Sequence, residues 1–198
     1  MEHRNWIDTF QEILQEDDLL SDQWTLAEAP LEFVKTKKYC QYGVGGKGKF
    51  LCNSCHNSWT SMNCRIIFYF SPDRNNRSHT VLYELFGQKC KRRGCRNQVR
   101  FEKNQFNRRN VISYSMIDFL FKAFQGACWY DDEIERIVIQ LIEKMKQKIH
   151  GHLDPMRERP KREGHMRKPH QEDLCEACQK GKCRIAELNL LIDRLDLG

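Results

Sequence analysis

The sequence has no run of about 18 apolar residues, so it predicts no transmembrane segment in this chain. Its best apolar stretch, Val111 to Phe124, is broken by Ser113, Ser115, Asp118 and Lys122. It opens on Met1-Glu2-His3-Arg4-Asn5-Trp6 and runs straight into charge, with neither an apolar h-region nor a small-residue cleavage site, so no signal peptide is expected. That points to a cytoplasmic chain whose thiols stay reduced. Apolar residues are also in short supply: they make up 40% of 198 residues against 30% charged, and the mean hydropathy is −0.73. A modest core follows, and something else is expected to help hold the fold. There is no repeat of fixed period. No general acid/base pair, nucleophile triad or open metal site stands out, which argues against an enzyme and against a small-molecule substrate. Gly43, Gly45, Gly46 and Gly48 lack the G-x-x-x-x-G-K-[ST] order of a phosphate loop and read as a flexible turn region before Phe50.

Cysteine is what the chain has in plenty, ten in all. Cys52 and Cys55 form a C-x2-C pair, and Cys90 and Cys95 form a C-x4-C pair. A tight turn aims two such sulfurs at one ion, and two pairs complete a tetrahedral shell, so these four predict a zinc site. The alternatives are disulfides or a thioredoxin-like redox motif, and the latter wants a βαβ context that is absent. Four thiolates close the shell, which makes the site structural rather than catalytic. Cys175, Cys178 and Cys183 form a second cluster. Three thiolates want a fourth ligand, and His170 is either that ligand or a solvated histidine at the end of a charged stretch. Cys40, Cys64 and Cys128 are unpaired and read as buried structural thiols.

Residues 5 to 20 read as an amphipathic helix with Trp6, Phe10, Ile13 and Leu14 on one face. Trp24 to Phe33 reads as a connector with a few buried anchors. Cys64–Phe70 and His79–Phe86 are rich in β-formers and flank a polar turn, so they predict an antiparallel hairpin. That hairpin falls between Cys55 and Cys90, the usual layout of a zinc ribbon. Asp131 to Ile149 is the clearest helix. Ile134, Ile137, Val138, Leu141, Ile142 and Met145 make its apolar stripe, and Asp131, Asp132 and Glu133 complement its dipole at the start. The expected fold class is α+β: a zinc-ribbon-like antiparallel hairpin or sheet core with flanking amphipathic helices and a small C-terminal Cys cluster. The expected organisation is a zinc-binding domain over 1–150, a basic Pro-containing linker over 151–169, the cluster at 170–183 and a short amphipathic tail over 184–198.

Charge is unevenly spread along the chain, whose net charge is +6. Asp8 to Glu32 holds eight acidic residues and no Lys or Arg, whereas Lys89 to Arg109 holds nine basic residues and one acidic, Glu102. Each run is either a solvated face or a site for something of opposite charge. In the basic run Lys91, Arg92, Arg93, Arg96 and Arg100 are the candidates for an anionic partner. Phe101 and Phe106 lie among these cations, an arrangement that suits single-stranded nucleic acid, although both rings also read as core.

On specific segments the sequence resembles the receptor-transporting protein family, within the 3CxxC-type zinc fingers. Lys49-Phe50-Leu51-Cys52-Asn53-Ser54-Cys55-His56-Asn57-Ser58-Trp59-Thr60-Ser61 resembles the family's R-F-x-C-x-x-C-x-x-x-W-x-S core, and Leu85-Phe86-Gly87-Gln88-Lys89-Cys90-Lys91 its V-F-x-Q-x-C-K segment. Glu133 to Gly151 resembles the helix before the family's linker. Pro169-His170 and Cys175-Glu176-Ala177-Cys178-Gln179-Lys180-Gly181-Lys182-Cys183 resemble its P-H … C-E-A-C-x-x-G-x-C ending. Two departures stand out: the second pair is C-x4-C rather than C-x2-C, and the chain ends at Gly198 on a polar amphipathic stretch where many members carry a membrane anchor. The resemblance implies a cytosolic zinc domain that helps G-protein-coupled, chemosensory receptors reach the cell surface, peripheral to the cytosolic face of the endoplasmic reticulum or plasma membrane. The alternative it allows is the interferon-inducible, antiviral RNA-binding role of some members.

Overall fold

The computed structural model describes residues 5–16, 23–30, 32–36, 38–71, 78–95, 124–151 and 170–183. Helix α1 (Trp6–Gln15) is capped by Asn5, whose side chain accepts the Asp8 N–H at 2.8 Å. It buries Trp6, Phe10, Ile13 and Leu14, the face read from the sequence, but is shorter than the expected 5–20. Four strands follow: β1 (Gln23–Glu28), β2 (Cys40–Leu51), β3 (Ser58–Phe70) and β4 (Ser78–Phe86). Two-residue strands β5 (Gln88–Lys89), β6 (Phe124–Gln125) and β7 (Cys128–Trp129) lead to helix α2 (Asp131–His150). Gly151, in the left-handed region at φ 69°, ends α2, and its N–H returns to Gln147 O.

The main sheet has the order β1-β4-β3-β2-β7, and it is mixed because β1 runs parallel to β4. The fold is therefore α+β with a zinc-ribbon-like segment, as expected. Two elements differ from the sequence reading. The Trp24–Phe33 connector contains a true strand, whose Trp24 stacks on His79 at 4.3 Å between ring centroids. The glycine-rich stretch is no loop but the body of β2. Close approach is the reason: a Cβ on Gly46 would lie 2.7 Å from both Glu133 Oε2 and Trp129 Cζ3.

The chain divides into two compact units. The first comprises Met1–Lys47, Met62–Leu85 and Trp129–Arg167. Its core is β3 (Cys64, Ile66, Ile67, Phe68, Tyr69, Phe70), Val81 of β4, and Ile137, Val138, Leu141 and Met145 of α2. Trp6 of α1 meets Phe68 and Trp129 edge-on. Glu133, read from sequence as a dipole charge at the start of α2, does lie in its first turn, and it is also buried and paired with Arg136, which donates to Gly45 O at 3.1 Å. Of the three cysteines outside the clusters Cys64 is buried, Cys40 half-buried and Cys128 exposed, so the buried-thiol reading fails for Cys128. Successive side chains of a strand point to opposite faces, and on the two-residue β7 it is Trp129 that takes the buried one.

The second unit comprises Gly48–Ser61, Phe86–Cys128 and Lys168–Gly198. Among its described residues the buried apolar side chains are Phe50, Phe86, Ala177 and five cysteines. Residues 152–169 of the expected linker and the tail 184–198 lie outside the described residues.

Candidate metal centre

Cys52 follows the last residue of β2, and the chain turns back into β3 at once. Cys52 N–H donates to Asn57 O and His56 N–H to Cys52 O, both at 2.9 Å. His56 takes the left-handed φ of 56° that the turn requires. The return brings Cys55 beside Cys52. The second arm leaves β5 at Cys90 and closes at Cys95, where Cys95 N–H donates to Arg92 O at 3.1 Å. The extra residues of C-x4-C are absorbed in that turn, with Gly94 at φ 75°.

The four sulfurs converge. Cys52 Sγ lies 3.6 Å from Cys95 Sγ, and Cys55 Sγ lies 3.7 Å from Cys90 Sγ. A tetrahedral ion with Zn–S bonds of about 2.3 Å has S···S edges of about 3.8 Å, so these separations fit zinc. They are far too long for disulfides, and none of the ten cysteines forms one. Trp59 packs against the cluster and stacks on Phe50. Cys90 Sγ accepts N–H bonds from Arg92 (3.4 Å) and Asn57 Nδ2 (3.7 Å). Burial pushes the Cys52 thiol up, but N–H bonds from Cys55 and Ser54 and the facing sulfurs outweigh it, bringing it down to about 7. Burial pushes Cys90 up to about 12, reinforced by its sulfur neighbours. Metal binds the deprotonated sulfur, so a divalent cation would offset the burial that disfavours the Cys90 thiolate.

The second cluster is wound on a single local segment. A 3-10 turn (Glu172–Leu174) runs into the one-turn helix α3 (Glu176–Gln179). Gly181 N–H then donates to Cys178 O at 3.0 Å and Lys182 N–H to Ala177 O at 2.7 Å, carrying the chain back to Cys183. The donor atoms of His170, Cys175, Cys178 and Cys183 all lie within 4.8 Å of one another. His170 Nε2 is 3.1 Å from Cys178 Sγ and 3.7 Å from Cys183 Sγ. A tetrahedral ion with one nitrogen ligand has N···S edges of about 3.6 Å. His170 is therefore aimed at the cluster and not merely solvated. The hydrogen bond with Cys183, ahead of burial, pushes Cys175 far up, and burial followed by the Cys183 contact pushes Cys178 up to about 12. His170 is raised by its Cys183 partner, against burial.

Both sets offer four protein donors and leave no position for water, an arrangement that binds metal for structure rather than for chemistry. The basic candidates fare differently. Lys91, Arg92 and Arg93 are exposed in the Cys90–Cys95 turn, but the Arg92 guanidinium donates to Cys55 O. Arg96 and Arg100 lie outside the described residues. Sequence reasoning missed the supports. Gln88 accepts from Trp59 Nε1 at 3.1 Å and donates to Ser61 Oγ at 2.9 Å. Buried Gln125 accepts the Asn53 N–H at 3.0 Å. Glu176 accepts the Gly87 N–H at 2.7 Å. For Gln88 and Glu176 the signal was adjacency, each lying within two residues of a cluster cysteine; Gln125 carried no such signal.

Comparison with known proteins agrees with the geometry. The family model of a zinc-binding domain, the 3CxxC zinc ribbon, matches residues 45–181. The chain is similar to receptor-transporting protein 4 of Mus musculus, 25% identical over 194 residues that cover 91% of this chain and 65% of the relative. It is similar to receptor-transporting protein 2 of Mus musculus, 24% identical over 169 residues covering 81% of this chain and 62% of the relative. Receptor-transporting protein 4 of Homo sapiens is 26% identical over 184 residues, covering 90% of this chain and 63% of the relative. The chain thus spans less than two thirds of the length of these relatives. No solved structure matches it.

Proposed function

We propose, for a chain that belongs to the 3CxxC zinc-ribbon family of zinc-binding domains, that it is an accessory protein which binds G-protein-coupled, chemosensory receptors and assists their delivery to the cell surface. In this reading Cys52, Cys55, Cys90 and Cys95 hold one zinc ion, and His170, Cys175, Cys178 and Cys183 hold a second. Each ion fixes the shape of a binding surface rather than acting on a substrate. The observation that carries the reading is the pair of closed donor sets in a chain similar, over most of its length, to proteins named for receptor transport. No helix among the described residues is long and apolar enough to cross a membrane. The protein is taken to work at the cytosolic face of the membrane that holds its client.

The test is co-expression of the full chain with a chemosensory receptor, scoring surface receptor on intact cells and co-precipitation from detergent. Wild-type chain is expected to raise surface receptor, and Cys52→Ser with Cys55→Ser to abolish the gain. Unchanged surface display together with no co-precipitation would overturn the reading. Lys91→Ala with Arg93→Ala separates it from the RNA alternative. Receptor binding that survives this change supports receptor delivery, whereas salt-dependent RNA binding lost with it would favour RNA.

A further inference from the structure

Two metal clusters in one small unit need not know of each other, but here a continuous path of backbone joins them. Gln88, two residues before Cys90, makes an isolated antiparallel bridge to Cys175, a member of the other cluster. Beside it Glu176 N–H donates to Gly87 O at 3.1 Å, and Gly87 N–H donates to Glu176 Oε2 at 2.7 Å. The same carboxylate meets Lys180 Nζ at 2.9 Å through its other oxygen. Across the strand, Gln88 pairs with Gln125, whose side chain holds the amide of Asn53 beside Cys52. Gly87 is where these layers cross, for a Cβ there would lie 2.8 Å from Gln125 O.

From this placement we propose that Glu176 is a positioning residue for both metal clusters, and that through the Gly87–Gln88 strand each cluster, once filled, raises the affinity of the other. The inference rests on the reading that both clusters hold zinc. Its physical basis is shared order. A filled C-terminal cluster, with its one histidine and three thiolates, fixes residues 170–183 in the conformation that presents Glu176 and the Cys175 strand to Gly87 and Gln88. The strand so fixed delivers Cys90 to the four-thiolate cluster already placed. An empty cluster leaves that ordering to be done by the other metal. Glu176 is suited to the task because it lies between two cluster cysteines and reaches the other arm with both its backbone and its carboxylate. Coupling of binding sites is reciprocal, so the factor must be the same in both directions.

The experiment titrates the full, reduced chain with cobalt(II), whose visible spectrum separates a four-sulfur site from one with three sulfurs and a nitrogen, and then displaces it with zinc against a chelator. Wild type is expected to take two equivalents. Removing the C-terminal cluster with His170→Ala is expected to weaken the four-sulfur site about tenfold. Removing the other with Cys52→Ser is expected to weaken the histidine-containing site by the same factor. Glu176→Ala keeps all eight donors: both spectra persist, and the mutual effect is largely lost. Glu176→Gln, which restores a neutral acceptor for Gly87, recovers most of it, as loss of folding would not. Two equivalents that bind independently, or coupling unchanged by Glu176→Ala, overturn the coupling alone. A single equivalent overturns it together with the two-zinc reading. Should Glu176→Ala fail to fold, the His170→Ala and Cys52→Ser titrations decide by themselves, unequal or absent effects overturning the proposal.

Discussion

Stripping the metal from the full chain with a chelator is expected to undo the second unit and spare the first. The second unit's described apolar burial, apart from cysteine, amounts to Phe50, Phe86 and Ala177. Two buried phenylalanines contribute about 1.5–3 kcal/mol each. A structural zinc ion in a small domain contributes about 10–16 kcal/mol, which outweighs the apolar burial of the described residues there. The first unit has a full aliphatic and aromatic core from β3, β4 and α2 and no donor from either cluster. Hydrogen exchange read by mass spectrometry distinguishes the two. Losing even about 4 kcal/mol of opening free energy speeds exchange on the order of a thousandfold. Peptides covering 48–61, 86–95 and 170–183 are expected to lose protection by at least that much on chelation. Peptides covering 62–70 and 134–145 are expected to keep most of theirs. Retained protection at 86–95 in protein shown to be metal-free would refute the reasoning, because the metals would then not be what orders that unit.

Gly46→Val places a branched side chain where a single Cβ already meets Glu133, Trp129 and Ile137 at 3.0 Å or less; a loss of about 3 kcal/mol is expected in denaturant unfolding of the first unit. Cys64→Ser replaces a buried, weakly polar sulfur by a smaller and more strongly hydrated hydroxyl, at a cost of about 1–3 kcal/mol, while Cys128→Ser, exposed, is expected to change nothing measurable; the same unfolding curves compare them. Zinc affinity is expected to fall as pH falls from 7 to 5. Cys90 and Cys178, pushed up to about 12, carry protons throughout that range, so the zinc-bound state holds fewer protons and acid favours the metal-free one. Each displaced proton contributes about tenfold per pH unit, and a flat profile in chelator competition would refute this.

The clusters were legible because their ligands come in local pairs. A short turn, such as Cys52–Cys55 or Cys90–Cys95, needs only short-range geometry to aim two sulfurs together. The stripe of α2 and the buried face of α1 were legible for the same local reason, a period of about 3.6. What resisted was set by partners far along the chain. Glycines in β2 signal a turn unless one knows that α2 lies over Gly46. Strand β1 pairs in parallel with β4 far along the chain (Gln23↔Ser78), and nothing in Gln23–Glu28 announces that partner. Glu133 was legible as a first-turn acid but not as a buried one, because Arg136 three residues on is a spacing common on solvated helix faces. Gln88 and Glu176 were visible as neighbours of cysteines, but their function comes from a contact between segments 89 residues apart.

The buried carboxylate–guanidinium pair on α2 acts as a key in a slot. A helix lying on a smooth aliphatic floor could slip by one turn, about 5.4 Å, and still find oily neighbours. Here such a slip would drag Arg136 off the Gly45 carbonyl and push the Glu133 head away from Gly46, whose missing side chain makes room for it. The two charges would travel together and stay paired, but the pair would lose its hydrogen bond to the strand and the space it occupies there, leaving buried polar atoms short of a partner at a cost of about 1–3 kcal/mol. The pair adds little to how tightly the helix is held; it dictates where along the sheet the helix can stop.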